Sequence, residues 1–228
     1  MTAGKSALII GASRGLGYAL AAEFLSRGWQ VTATERTPSA LHELTGRGLV
    51  VETVDIAVPE QVAALRERLA GSAFDLLFVN AGTNYTTDPS ATFADVSTED
   101  FAQVMVTNAL SPMRVVETLQ DLVPATGTIG VMSSGQGSVT DNTNGGFEVY
   151  RASKSALNQL MRSFAARHAA DPRTLLLMAP GWVKTDLGGP GARLTIDESI
   201  PGVADTIEAW TGKGGLHYTD RQGQTVNW

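Results

Sequence analysis

Short, unbroken apolar runs alternate with helical stretches from one end of this chain to the other, and that alternation restricts its fold more than any other feature. The runs lie at 7–10, 30–34, 49–54, 74–79, 128–132, 174–178 and 216–218. Helical patterning fills 16–26, 59–69, 98–122, 150–168 and 203–210. A strand with one wet face alternates apolar and polar residues; a strand buried on both faces does not. Helices between successive strands supply the crossovers that parallel pairing needs. The pattern predicts a single-domain α/β fold over 1–228, a doubly wound parallel sheet with helices on both faces. Gly28 and Gly71 stop two helices, Pro59 opens one, Ser97 or Thr98 caps another, and Pro112 is expected to kink it. Three irregular stretches, near 83–97, 135–149 and 186–200, each follow a strand end. Ligands of open α/β sheets sit outside the strand C-termini, so all three are expected to border one substrate cleft.

Composition removes several function classes. A net charge of −6 argues against non-specific nucleic-acid binding. With no cysteine there is neither a disulfide frame nor a thiolate metal site, and His42, His168 and His217 lie too far apart to suggest a metal centre. No segment approaches the roughly 20 apolar residues that cross a bilayer. The opening MTAGKSALIIGASRG lacks the long apolar region of a secretion signal, so a cytoplasmic location is the expectation.

The chemistry concentrates at strand ends. Gly11-Ala12-Ser13-Arg14-Gly15-Leu16-Gly17 follows the first strand and opens the first helix. Glycines there allow a tight turn and a close backbone approach to a pyrophosphate, and the helix N-terminus adds free N–H donors and partial positive charge. Glu35 ends the second strand, about 20 residues further on, where a carboxylate binds ribose hydroxyls and repels a 2′-phosphate. Arg36 and Arg14 could instead grip such a phosphate. The balance leans slightly to NAD over NADP. Asp55 ends the third strand as a possible adenine contact or a simple turn residue, and Asn80-Ala81-Gly82 closes the fourth with small residues.

Tyr150 and Lys154 stand four apart at the start of a helical pattern, hence on one face. Bringing a phenol from a pKa of about 10 toward neutrality takes about 4 kcal/mol. One unit charge about 4 Å away supplies roughly that much at an effective dielectric of about 20. Lys154 is therefore expected to lower the Tyr150 pKa and make it a usable acid or base. The same spacing also occurs as a surface tyrosine beside a solvated lysine.

Taken in order, Gly11-x-x-x-Gly15-x-Gly17, Asp55, Asn80-Ala81-Gly82, Asn108, Ser133-Ser134, Tyr150-x-x-x-Lys154 and Pro180-Gly181 with Thr185 resemble the short-chain dehydrogenase/reductase family over nearly the whole chain. The 132–138 stretch, the 142–146 region and the closing Val226-Asn227-Trp228 are similar to the branch holding the carbonyl reductase called sniffer and the C-factor-like proteins. The resemblance implies a Rossmann-type fold and an NAD(P)-dependent oxidoreductase that interconverts a carbonyl and an alcohol by hydride transfer. It implies Tyr150 as general acid/base, Lys154 on the nicotinamide ribose, and Asn108 supporting a water that relays protons to the lysine. It implies Ser134, not Ser133, on the substrate oxygen, because the family's serine is the second of the pair; strand alternation sends the two side chains opposite ways, so only one faces the site, and Ser138 is an outside candidate. Ser13, Arg14, Leu16, Glu35, Arg36, Asp55, Ile56, Val183 and Thr185 join the glycines, Asn80, Ala81 and Pro180 as cofactor contacts. No metal is implied, and dimers or tetramers are, packed through the helices beginning near 98 and 150. The alternative is a dinucleotide-binding sensor or C-factor-like signalling protein with little catalysis.

Two departures from the family pattern stand out. Ser134 and Tyr150 are 16 residues apart, which implies a longer intervening loop. The stretch after Asp186, with Gly188, Gly189, Pro190 and Gly191, reads as a mobile segment without a helical lid. Tyr85, Phe93, Phe147 and above all Trp182 are candidates for the substrate pocket.

Overall fold

The central apolar runs become strands whose side chains pack against helices on both faces, while Val50–Thr53 at the sheet edge stays partly exposed. A computed structural model describes residues 4–86 and 88–228; Met1 to Ala3, and Thr87 within the 83–97 loop, lie outside the described residues. The strands are β1 (Ser6–Ile10), β2 (Gln30–Glu35), β3 (Val50–Thr53), β4 (Leu76–Val79), β5 (Thr128–Met132), β6 (Thr174–Ala179) and β7 (Gly215–Asp220). They form one sheet in the order β3-β2-β1-β4-β5-β6-β7. Every neighbouring pair is parallel. β4, β5 and β6 are buried along their whole length, which explains their unbroken apolar runs.

Two cores sandwich this sheet. On one face α2 (Pro59–Arg68), α4 (Ser111–Leu119) and α5 (Glu148–Arg167) contribute Val62, Leu65, Val116, Leu119, Met161 and Phe164. On the other, α1 (Gly15–Ser26) and α6 (Ile196–Trp210) contribute Leu20, Phe24, Val203 and Ile207. Each such side chain, fully withdrawn from water, stabilises the fold by about 1.5–3 kcal/mol. The strand order reverses between β1 and β4, so the turns that follow these two strands face each other across the crevice where such sheets bind ligands.

Three helical expectations need correction. The stretch 98–122 is not one kinked helix but α3 (Thr98–Met105), a π turn (Val106–Leu110), α4 and a short 3-10 turn. Pro112 has no N–H to give the carbonyl of Asn108 in an α pattern, and the widened turn just ahead of α4 absorbs that loss. α6 begins at Ile196, so the irregular stretch expected at 186–200 ends earlier. The cause is a capping box: Thr195 accepts from the Glu198 N–H, and the Glu198 side chain accepts from the Thr195 N–H. Residues Ala40–Arg47 form a 3-10 helix capped by Ser39, where no element was expected. Among the described residues no helix is long and apolar enough to cross a membrane.

Candidate active site

The glycine turn after β1 is built for close backbone packing. Gly11 adopts φ +82°, and a Cβ there would lie 2.9 Å from Ala81. A Cβ on Gly17 would fall 2.2 Å from the Gly11 carbonyl oxygen. Asn80 Nδ2 donates to that same oxygen at 2.9 Å, tying the end of β4 to the turn. Thr34 Oγ1 accepts from the Gly11 N–H at 3.0 Å, a contribution that sequence reasoning missed because threonine in a strand carries no site signal. α1 has no side-chain cap and no acidic residue in its first turn. Its bare N–H groups and positive end face the crevice, so the turn fits the pyrophosphate of a dinucleotide.

The carboxylate of Glu35 is 3% exposed and points away from solvent. Ser39 donates to one oxygen, and His42 Nε2 lies 2.9 Å from the other. Arg36 is exposed. Arg14 is also exposed and pairs with Asp186, which straps the glycine turn to the segment after β6. Such an open pair adds little stability. Asp55 accepts from the Ala57 N–H at 2.9 Å as a turn residue does, and Ile56 is buried beside it.

Ser134, Tyr150 and Lys154 converge beside Gly82. β5 ends at Met132, and Ser133 turns inward to donate to Asn158 Oδ1 at 2.6 Å. Ser134 Oγ accepts from the Gln136 N–H at 3.1 Å, and its hydroxyl tempers the Tyr150 phenol. Ser138 is engaged elsewhere, accepting from the Asp141 N–H at 3.0 Å. Lys154 Nζ lies 5.7 Å from the centroid of the Tyr150 ring and donates to the Met132 carbonyl at 2.8 Å. A Cβ on Gly82 would come within 3.5 Å of both Lys154 Nζ and Asn108 Oδ1. Asn108 sits in the π turn, fully buried. Its Oδ1 accepts from the Thr83 N–H at 2.7 Å, and its Nδ2 donates to the Thr83 carbonyl at 2.8 Å and to Ser153 Oγ at 2.9 Å.

The electrostatics differ from expectation. Burial pushes the Tyr150 phenol up to about 12, opposed by the Ser134 hydrogen bond. Burial also pushes Lys154 down to about 8. The ammonium lies over the ring and donates to the Met132 carbonyl. Withdrawal from water disfavours each charged form, and it outweighs the attraction that the four-residue spacing suggests.

Residues 5–192 match the family model described as short chain dehydrogenase. The chain belongs to that family. This short-chain dehydrogenase is 58% identical to a short-chain dehydrogenase/reductase from Burkholderia multivorans solved with bound NADP, over 98% of this chain and 99% of that one, with a TM-score of 0.94. It is 26% identical to the carbonyl reductase Sniffer of D. melanogaster over 99% of this chain and 100% of that one, at a TM-score of 0.89. It is 33% identical to C-signal of Myxococcus xanthus over 68% of this chain and 92% of the relative. The family and the NADP-bound neighbour establish an NAD(P)-dependent oxidoreductase; the lean to NAD finds no support.

The pocket candidates of this dehydrogenase are spread along its loops. Phe147 begins α5 with φ 51°, the lone left-handed non-glycine among the described residues. Trp182 is 45% exposed and donates from Nε1 to the Gly188 carbonyl at 2.8 Å, while Phe93 is 57% exposed. Tyr85 is half-buried in the loop after β4. Val183 pairs with Leu194, and Thr185 Oγ1 accepts from the Gly188 N–H at 3.0 Å, with its methyl 3.7 Å from where a Gly15 Cβ would stand.

Proposed function

We propose that this enzyme reduces ketones or aldehydes with NADPH, with Tyr150 as the proton donor. The observation that carries the reading is the convergence of Ser134, Tyr150 and Lys154 beside the glycine-lined crevice. A phenol held near 12 is fully protonated at neutral pH, as a general acid must be. A developing alkoxide is a stronger base than such a phenolate, so proton transfer runs downhill toward alcohol. Ser134 Oγ and the phenol together hold the carbonyl oxygen. Lys154, charged below about 8, adds positive potential next to the developing oxyanion. When bound, the reduced nicotinamide supplies the hydride.

The cofactor's pyrophosphate would lie on Gly11, Ser13, Gly15, Leu16 and Gly17. Its adenosine would meet Asp55 and Ile56, and its nicotinamide half Asn80, Ala81, Gly82, Pro180, Gly181, Val183 and Thr185. Preference for NADP is supported by the inward turn of Glu35, whose oxygens Ser39 and His42 occupy, which leaves Arg36 and Arg14 as the exposed charges. Tyr85, Phe147 and Trp182 would line the substrate side of the cleft, within the loops 83–97, 135–149 and 186–195. An apolar groove lined by Met105, Val106, Ala109, Leu110, Ala156 and Leu160 supports a homodimer packed through α3 to α5. The test is NADPH oxidation with a panel of ketones and aldehydes. Turnover on some members is expected; tight NADPH binding with no turnover on any would favour the signalling reading that the likeness to C-signal suggests.

A further inference from the structure

Below Ser134 lies a buried polar cluster that the proposed chemistry does not use. Tyr218, on β7, is 2% exposed, and its phenol donates to the backbone carbonyl of Ser134. Ser133 donates to Asn158 Oδ1 at 2.6 Å in the same cluster. Asn158 Nδ2 and Ser155 Oγ, both on α5, donate to the Gly137 carbonyl at 3.3 and 3.0 Å. Gly137 itself presses on α5: a Cβ there would lie 2.8 Å from Asn158 Nδ2 and 3.1 Å from the Lys154 backbone carbon. Beyond the turn, the Trp228 backbone oxygen accepts from Thr140 Oγ1 at 2.6 Å and from the Thr140 N–H at 3.0 Å. The Trp228 ring stands 5.6 Å from the Tyr218 ring and 4.2 Å from the Arg162 guanidinium.

The turn that presents Ser134 is thus gripped at both ends. α5, which also carries Tyr150 and Lys154, holds Gly137; the segment from β7 to Trp228 holds Ser134 and Thr140. We infer that Tyr218 is a positioning residue: through the Ser134 carbonyl it fixes the distance between the serine hydroxyl and the Tyr150 phenol. The inference rests on the proposed role of Ser134. Burial pushes the Tyr218 phenol up, so it stays a donor across the working pH range. A free backbone carbonyl at this point would let the turn relax by a fraction of an ångström, and misplacement of about 1 Å can cost about 10²-fold in rate.

The experiment is a double-mutant cycle in kcat on a ketone that the enzyme reduces. Tyr218→Phe is expected to lower kcat about tenfold, leaving NADPH affinity within twofold. Ser134→Ala alone should cost about 10²–10³-fold, the scale of one lost oxyanion donor. Added to Ser134→Ala, Tyr218→Phe should cost less than a further twofold, because the group it positions is gone. A merely structural Tyr218 would lower thermal stability and leave kcat untouched, or its loss would multiply with that of Ser134→Ala; either result overturns the inference. Ser155→Ala, which removes one of the two α5 bonds to the Gly137 carbonyl, should give a smaller kcat loss with the same dependence on Ser134. It decides the matter if Tyr218→Phe does not fold. If Ser134→Ala kept full turnover, the role of Ser134 would fall, and this inference with it. A wild-type kcat for Tyr218→Phe beside a disabled Ser134→Ala would remove the inference alone.

Discussion

Lys154→Met should change how stability depends on pH by an amount that can be worked out from the fold. The ammonium is 2% exposed, and its one hydrogen bond goes to the Met132 carbonyl. Burial lowers its pKa from 10.5 in the open chain to about 8 in the fold. Between those values the unfolded chain holds the extra proton, so stability rises with pH there. Below about 8 the buried charge penalises the fold in full; above about 10.5 the penalty is gone. At about 1.36 kcal/mol per pH unit, the whole window amounts to about 3 kcal/mol. From pH 7 to pH 10 the wild type should gain about 2–3 kcal/mol relative to Lys154→Met. For a domain of this size that is a relative rise in Tm of about 5–10 °C. Loss of the Met132 hydrogen bond shifts the variant by a constant and drops out of the comparison. Thermal melts of both proteins at pH 7, 8, 9 and 10 would show it. A Tm difference that stayed flat across the series would mean that the lysine titrates near its open-chain value, and the description of its buried site would be wrong.

The same lysine should shape the kinetics. kcat/KM for reduction is expected to be level below pH 8 and to fall above it as Lys154 loses its proton, with Lys154→Arg moving the break upward in a pH–rate series. Arg36→Ala should lower kcat/KM with NADPH about tenfold, about 1.4 kcal/mol, while that with NADH changes little; equal losses for both cofactors would refute 2′-phosphate recognition. Leu160→Glu places a charge in the apolar groove of α3 to α5, and light scattering should then report a smaller particle than the wild type gives.

Much of this fold is legible because its central strands, β4, β5 and β6, are wet on neither face. β5 occupies the stretch read from its apolar run, and α2 opens at the proline that pre-sets its first turn. What escaped the reading has specific causes. The Thr195 and Glu198 pair is a capping box in plain view, but the glycines from 188 to 191 drew the segment toward disorder. Pro112 signals a break in the 98–122 helix but not its form: the π turn just ahead of α4 is also where Asn108 bonds Thr83 and Ser153. Glu35 at its strand end reads as a free carboxylate, but Ser39 and His42 follow it within seven residues and take both its oxygens. For Tyr150 the four-residue spacing places Lys154 beside the ring, but burial pushes the phenol up and the ammonium down, an effect that charge spacing alone does not carry.

Proton donation by Tyr150 is the centre of this account, and Tyr150→Phe in a single-turnover assay tests it most directly. Removing one oxygen atom leaves the ring, the Lys154 contact and the glycine turn in place. NADPH should bind with unchanged affinity, while the hydride-transfer step on a reducible ketone slows by about 10²–10⁴-fold. A variant that bound NADPH normally and reduced the ketone at the wild-type rate would contradict the account.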